Sequence, residues 1–546
     1  MNKPLSPFVI FTFLLLSTLP AYMTCISIPV SDNVNKLSAG KFVAKTGWFS
    51  GIINVGWKGN ANKSVDLTWA GNVGEVKIRP YSIESNKQQS GAIGVSIEQT
   101  DEVQHVTFSV KKINGETLSS TVTVPPAAVA SFDVLRTSIN PGYYFSGAII
   151  DMGVMLNANA INKDTFRAKA RITEANGELQ GSFGNYGWDP GMSNRALEDN
   201  WATWNILDAY VVDTDGNRAD IGQYIRLDIE WGTRTEQSGS SSANRYDVPA
   251  TRASWYKLGT GSWSTYHSFA NIEVIIDQEM AIDGIGTLTY SQNEIRHDPL
   301  FDAFDPTLEV PGGGRAPIYR PDNASEDNLR PLLVWFHGTG ERYISMDING
   351  VTVDNPCANL IGNRALSFAD NEFQSIMGGA YVLAPQSTTS GWNAGRLNDM
   401  EALINKVVAE NFIDPDRIFV GGLSMGTGMT SPLVLSTTEN SINFAGAMLV
   451  SGGSFNQDQA ATIARKGFPI YLVSNTSDFA GADHINTYNN LIEAGVNAKL
   501  MRYPEGPVFD GEYFFGAHDS WNYVYNNLVA DEDGETIFEW LAKLKR

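Results

Sequence analysis

After about residue 300 the chain settles into an alternation that few folds accommodate: short, continuously apolar runs separated by stretches with helical spacing. The runs are Leu332-Leu333-Val334-Trp335-Phe336, Ala380-Tyr381-Val382-Leu383, Ile418-Phe419-Val420-Gly421, Ala445-Gly446-Ala447-Met448-Leu449-Val450, Pro469-Ile470-Tyr471-Leu472-Val473 and Ala498-Lys499-Leu500-Met501-Arg502-Tyr503. Helical stretches lie around 398–411 and 482–494, and another closes the chain. A strand without a polar face must be covered on both sides, and strand–helix–strand repetition implies parallel pairing. The pattern predicts an α/β domain over residues 291–546 with a mostly parallel, doubly wound sheet. Chemistry is then expected at the C-terminal ends of its strands.

One of those ends carries Gly422-Leu423-Ser424-Met425-Gly426, the only G-x-S-x-G in the chain. The pentapeptide alone is weak evidence, because an ordinary serine in a glycine-rich turn looks the same. Its position between a strand and a candidate helix gives it weight: the motif works as a sharp turn that projects the serine hydroxyl from the sheet edge. A serine hydroxyl needs a base, and the chain offers six histidines. His105 and His267 lie in the upstream half, His297 precedes the sheet, and His337 belongs to another motif. In the order nucleophile, acid, base, His484 and His518 remain. His518, in Gly516-Ala517-His518-Asp519-Ser520-Trp521, follows the last strand and is preferred; His484 sits at the start of a helix.

The acid is expected after the strand Pro469 to Val473. Asp478 lies on the loop leaving it, placed to accept the imidazole Nδ1 hydrogen. Asp483 is the rival and reads equally as an N-terminal helix acid, while Asp458, Asp510 and Asp519 read as surface carboxylates. The turn Phe336-His337-Gly338-Thr339-Gly340-Glu341 offers a backbone N–H to an oxyanion, from Thr339 in preference to Gly338, with Met425 N–H as the second donor. His337 is expected to shape that turn. None of this chemistry requires a metal or cofactor.

Lys and Arg number 39 against 60 Asp and Glu, and 39 − 60 gives a net charge of −21. That field opposes nucleic-acid binding. Two cysteines, Cys25 and Cys357, exclude a disulfide scaffold and any cysteine-based zinc or iron–sulfur site. Lys3, the apolar run Phe8 to Leu16, and then Ser17, Thr18 and Ala21 read as a signal peptide over 1–25. Pro20 breaks that run too soon for a membrane span, and no later segment is apolar enough for one. Cys25 stands where a lipoprotein signal places its acylated cysteine, but Tyr22-Met23-Thr24 matches such a signal poorly. A cleaved, secreted or periplasmic product is the expectation, with a lipid anchor at Cys25 the alternative.

From about 40 to 290 the chain reads as strands. Alternating runs such as Glu75-Val76-Lys77-Ile78, His105 to Val110 and Thr121 to Val124 are bounded by Gly, Asn and Pro. Ala209-Tyr210-Val211-Val212 and Tyr224 to Ile229 flank the polar turn 213–217, whose aspartates suit a hairpin better than a calcium loop because Tyr224 stands where an EF-hand needs Glu. Pro125-Pro126 is the best internal break. It divides a β-rich module, 26–126, from an immunoglobulin-like β-sandwich, 127–290. Nine of the 13 tryptophans fall in this half: Trp48, Trp57, Trp69, Trp188, Trp201, Trp204, Trp231, Trp255 and Trp263. Buried, they are sandwich core; exposed, they suit stacking on sugar or aromatic rings.

Residues 290–546 resemble α/β-hydrolase serine esterases of the secreted bacterial type that carries an immunoglobulin-like domain ahead of the catalytic one. The resemblance rests on Phe336-His337-Gly338-Thr339-Gly340-Glu341, on Val382-Leu383-Ala384-Pro385-Gln386 with Gly391-Trp392, on Asp414-Pro415-Asp416-Arg417-Ile418 leading to Ser424, and on His518-Asp519-Ser520-Trp521. It implies a Ser424–His518–Asp478 triad, Thr339 and Met425 at an oxyanion hole, and Trp392 near the acyl or alcohol pocket, although ordinary core packing suits Trp392 equally. Thr427 departs from the family, where a further Gly is common, and so does Val473-Ser474-Asn475, where a His-Gly pair is. The aromatic stretch Pro504 to Phe515 is long enough to cover a pocket. The expected partner is a small-molecule or polymer-derived ester (an acyl or feruloyl polysaccharide, or a polyester). A serine peptidase on the same fold and a non-catalytic binding protein built on the β modules are the competing readings. Peptidases of this fold that cut short peptides commonly carry a propeller, and no repeated blade is visible upstream.

Overall fold

The computed structural model describes residues 25–546 except 31–32, 46–47, 59–62, 72–74, 79–89, 101–103, 113, 125–128, 140–141, 174–200, 236–244, 252, 254–255, 258–264, 267–268, 270, 283–284, 312–313, 349–350, 389, 505 and 509–512. Residues 1–24 of the expected signal peptide, Pro125-Pro126, Trp188, Trp255, Trp263, His267 and Phe509 therefore lie outside the described residues. The chain divides into two compact units, residues 1–130 with 277–290 and residues 131–276 with 291–546.

In the first unit, strands begin earlier than the periodicity announces, with Cys25–Val30 and Asn33–Lys45. Two four-stranded sheets form, with antiparallel pairing. Alternate residues of both, among them Ile53, Val55, Trp57, Ile93, Val106, Phe108 and Val122, meet in one core. This is the period-two pattern of strands with one buried face.

The second unit begins with a five-stranded sheet and a three-stranded sheet. Ile206–Val212 and Ile221–Ile229 pair as the expected hairpin. The Asp213 carboxylate accepts the Asp215 and Asn217 N–H groups at 2.9 Å each, so it closes the turn itself. Trp57 and Trp204 are buried, while Trp48, Trp69, Trp201 and Trp231 are half-buried. Trp201 carries the Arg171 guanidinium 4.6 Å from its ring.

Within the five-stranded sheet, Asp133 accepts from Asn293 Nδ2 at 2.9 Å and Arg296 Nε at 2.7 Å of the strand Thr289–Arg296. Towards the α/β portion of the chain, the buried Asp298 carboxylate accepts the Ser138 N–H at 2.9 Å. Arg364 Nε donates to Ser138 O at 3.1 Å.

The remainder is built on an eight-stranded sheet. Its spatial order is Phe304–Asp305, Ile318–Tyr319, Tyr381–Leu383, Arg330–Phe336, Ile413–Leu423, Gly446–Val450, Ile470–Asn475 and Ala498–Tyr503. The first two strands pair antiparallel and the other six are parallel. Successive residues of Arg330–Phe336 pack into different layers. Leu332, Val334 and Phe336 join Met400, Leu403, Ile404 and Val407 of the helix Leu397–Glu410 and Met429 and Leu433 of the helix Thr427–Leu435. Trp335 faces Phe368 and Tyr525 instead, with its indole N–H donating to Tyr525 Oη at 2.8 Å. Burial on both sides is why these runs lack alternation. The chain first crosses from Arg330–Phe336 to Tyr381–Leu383 on one side, then returns to Ile413–Leu423 on the other. The winding reverses between Arg330–Phe336 and Ile413–Leu423, where an open α/β sheet leaves a crevice at its C-terminal edge.

Candidate active site

Ser424 stands at that crevice, directly after Ile413–Leu423. Its backbone is left-handed, with φ at +49°, a conformation that costs a side-chain-bearing residue energy and persists only where its surroundings enforce it. The glycines around it are required by space. A Cβ at Gly426 would lie 2.1 Å from Phe336 O, and one at Gly422 would lie 2.8 Å from Gly426 C. Thr427, where the family resemblance leads one to expect a further glycine, braces the turn: its hydroxyl donates to Ser424 O at 2.6 Å.

Three sequence-predicted side chains come together here. Ser424 Oγ lies 2.8 Å from His518 Nε2, and His518 Nδ1 lies 2.8 Å from Asp478 Oδ1. The Asp478 carboxylate needs the Nδ1 proton, so Nε2 is left as the acceptor for the serine hydroxyl. The Asp478 side chain is fully buried and the His518 side chain is 28% exposed, so the imidazole is the group that reaches solvent. Burial alone would push the Asp478 carboxyl up. The hydrogen bond and charge of His518, the Ala480 N–H and the Ser451 hydroxyl outweigh burial and hold it below the usual carboxylate value.

The rivals lie elsewhere. Asp483 is exposed at the N-terminus of the helix His484–Glu493. His484 is buried and donates Nε2–H to Gly452 O at 2.8 Å; burial pushes its pKa down.

Opposite Ser424, the turn Thr339–Glu341 comes within 8 Å, Cα to Cα, of the turn Ser424–Gly426. Each is a 3-10 turn, whose first N–H groups have no partner inside the turn. Thr339 and Met425 occupy such positions, and both are half-buried. Gly338 does not share this role, because its N–H already donates to Glu341 Oε2 at 2.9 Å. Glu341, which nothing in the sequence singles out, is completely buried and also accepts Asn363 N–H and Asn363 Nδ2–H at 2.9 and 2.7 Å. Burial pushes its carboxyl up to about 7, against the pull of these donors. His337 shapes the same turn. Its Nδ1–H donates to Gly338 O at 2.6 Å, its Nε2 accepts the Ser387 N–H at 2.8 Å, and burial pushes its pKa down to about 3, so it stays neutral.

Trp392, for which a place near the pocket and a place in the core are equal readings of the sequence, is 5% exposed and belongs to the core. Its ring packs edge-on to Phe336 at 5.0 Å and against His337 at 5.4 Å, and Gly391 before it lies against the Met425 sulfur. A large apolar ring behind a turn of this kind gains more from filling the core than from facing water, so it supports the Thr339 turn from behind. The stretch before His518 includes a small hairpin, Gly506–Val508 with Tyr513–Phe515. Among the described residues no group of three or more His, Cys, Asp or Glu has a metal-holding arrangement, and no helix is long and apolar enough to cross a membrane. Cys357 is buried, and burial pushes its thiol up to about 12.

No sequence-family model and no curated protein matches this chain. Among solved structures, a thermostable esterase is similar over 76% of this chain and 100% of its own, with a TM-score of 0.55 and 18% identity. A thermophilic esterase from Thermogutta terrifontis covers 41% of this chain and 89% of its own at a TM-score of 0.29 and 16% identity. A ferulic acid esterase covers 39% and 88% at 0.27 and 14%. The first of these likenesses is one of fold: the chain adopts an architecture that an esterase also uses, and its parallel sheet fits an α/β-hydrolase domain.

Proposed function

We propose that this chain is an exported serine carboxylic ester hydrolase, with Ser424 as nucleophile, His518 as base and Asp478 as the acid that orients it. The observation that carries the reading is the unbroken chain of contacts from Ser424 through His518 to Asp478, two links of 2.8 Å each, at the C-terminal edge of a parallel sheet. His518 Nε2 takes the Ser424 proton as Oγ attacks the ester carbonyl, and the C–O π bond opens to an oxyanion. The Thr339 and Met425 N–H groups receive that charge. On collapse, His518 returns the proton to the leaving alcohol, and an acyl-enzyme remains. Water then gives its proton to His518 and attacks the acyl carbon; as the bond to Ser424 Oγ breaks, His518 passes that proton to Oγ, the acid leaves and the free enzyme is restored.

In this reading residues 127–290 are an immunoglobulin-like accessory domain, 26–126 a further β-rich module, and 291–546 a doubly wound catalytic domain. Residues 1–25 direct export to the periplasm or medium. Export together with half-buried tryptophans upstream favours an ester drawn from a polymer, such as an acylated or feruloylated polysaccharide or a polyester fragment.

The test is Ser424→Ala on a p-nitrophenyl ester. Turnover is expected to fall at least about 10³-fold with the circular-dichroism spectrum unchanged, and labelling by a fluorophosphonate probe is expected to vanish. A variant that keeps a tenth of the wild-type rate rules the assignment out.

A further inference from the structure

Phe479 is the most exposed large apolar side chain among the described residues, at 75% of its surface, and it lies on the catalytic histidine. Its ring centroid is 4.7 Å from that of His518, with the planes 30° apart. Trp521 meets the same imidazole edge-on at 5.3 Å, but Trp521 is buried, so packing accounts for it. Packing does not account for Phe479, whose ring leaves most of its apolar surface in water. Chance mobility does not account for it either, because the turn that carries it is pinned. Asp478 Oδ1 accepts the Ala480 N–H at 2.9 Å while accepting His518 Nδ1–H at 2.8 Å, and Phe479 lies between those anchors in sequence.

We infer that Phe479 is the residue that selects the alcohol portion of the ester, by offering its open face to an apolar or aromatic alcohol. The inference rests on the hydrolase reading above and follows from where the proton goes. His518 Nε2 delivers the proton to the leaving oxygen, so that oxygen must come within hydrogen-bond reach of Nε2, about 3 Å. Carbon atoms attached to it then emerge on the imidazole side of the site, beside a ring stacked on that imidazole. The acyl group is held by the same carbonyl carbon that Ser424 attacks and extends away from the leaving oxygen. A contact with Phe479 thus discriminates between alcohols and not between acids. An offset or edge-to-face ring pair is the arrangement an aromatic alcohol would form there.

The experiment compares the wild type, Phe479→Ala and Phe479→Tyr on methyl acetate, benzyl acetate and methyl butyrate, with Ser424→Ala as the blank. Phe479→Ala is expected to raise KM for benzyl acetate about fivefold and leave methyl acetate and methyl butyrate within about twofold; Phe479→Tyr, which keeps the ring, is expected to restore benzyl acetate. An equal fall on all three esters would show that the ring only positions His518 and would overturn the inference. No change on any ester, or a change that follows the acyl group, would overturn it as well. A wild type no faster than Ser424→Ala on every ester would be a different failure, that of the hydrolase reading itself.

Discussion

Glu341 holds the N–H of Gly338 at 2.9 Å from inside the protein, with none of its own surface exposed. The turn facing Ser424 is therefore fixed by a carboxylate on its inner side, and in the proposed mechanism its outer N–H groups meet the substrate. Because burial pushes this carboxyl from the ordinary 4.5 up to about 7, it still holds its proton in the folded protein at pH values where the unfolded chain has lost it. Folding stability therefore declines as pH rises from about 4.5 to about 7 and levels off above that. About 2.5 pH units at 1.36 kcal/mol each give a contribution of about 3 kcal/mol. Urea titrations of wild type and Glu341→Gln across that window should show the decline in the first and its loss in the second. At pH 7.5 the variant should also lose about tenfold in kcat, since an amide has one acceptor oxygen for three N–H donors.

Thr427 gives a second prediction. Its hydroxyl donates to the Ser424 carbonyl, which also accepts the Thr427 backbone N–H, so removing the hydroxyl takes one of two donors from a position already strained by a φ of +49°. Thr427→Val keeps the volume and is expected to cost about 1 kcal/mol in a urea titration. It should lower kcat more than it raises KM, because the Ser424 hydroxyl loses its fixed direction. A variant with an unchanged kcat would show that the turn holds without this brace.

Gly426→Ala is expected to be far more damaging than an exposed Gly→Ala change. The added carbon would meet Phe336 O at 2.1 Å and Phe336 C at 2.6 Å, both backbone atoms of a central strand that cannot swing aside. A loss of about 3 kcal/mol or more is expected, seen as a lowered melting temperature or insoluble expression. Gly467→Ala serves as the control: nothing lies within 4 Å of its Cβ, but its φ of +73° still strains the new residue. Its cost should be only that of the backbone, about 1 kcal/mol.

Much of the sheet was legible because its code is local. The apolar runs ending at Phe336, Val450 and Val473 lie in strands that the structure bounds as Arg330–Phe336, Gly446–Val450 and Ile470–Asn475. The spacing of Met400, Leu403, Ile404 and Val407 marked the helix Leu397–Glu410. Two strands escaped notice because Phe304–Asp305 and Ile318–Tyr319 are two residues each, too short for any period. The helix Gln457–Lys466 carries its own local signals, the reciprocal Asn456/Gln459 cap and the left-handed Gly467 after it. Within the site, Ser424 and His518 could be found from motif and chain order. Glu341 and Phe479 could not, because nothing local separates a buried carboxylate from a solvated one, or an exposed phenylalanine from a core one. Trp392 shows the same limit from the other side: its motif suited a pocket and a core equally, and only tertiary packing places it behind the turn.

The last prediction concerns the acid. Asp478 Oδ1 accepts both the Ala480 N–H and the His518 Nδ1–H, so in Asp478→Asn an amide that turns its NH2 to His518 gives up the Ala480 bond. That NH2 group can donate to His518 Nδ1 where the carboxylate accepted from it. His518 would then carry its proton on Nε2, facing Ser424 Oγ at 2.8 Å, and could no longer take the serine proton. The expected loss in kcat is about 10³–10⁴-fold with KM little changed. Asp483→Asn, at an exposed helix terminus, should leave kcat within about twofold. If the two variants exchanged these outcomes, the acid would be Asp483, and the contact between Asp478 and His518 would be structural only.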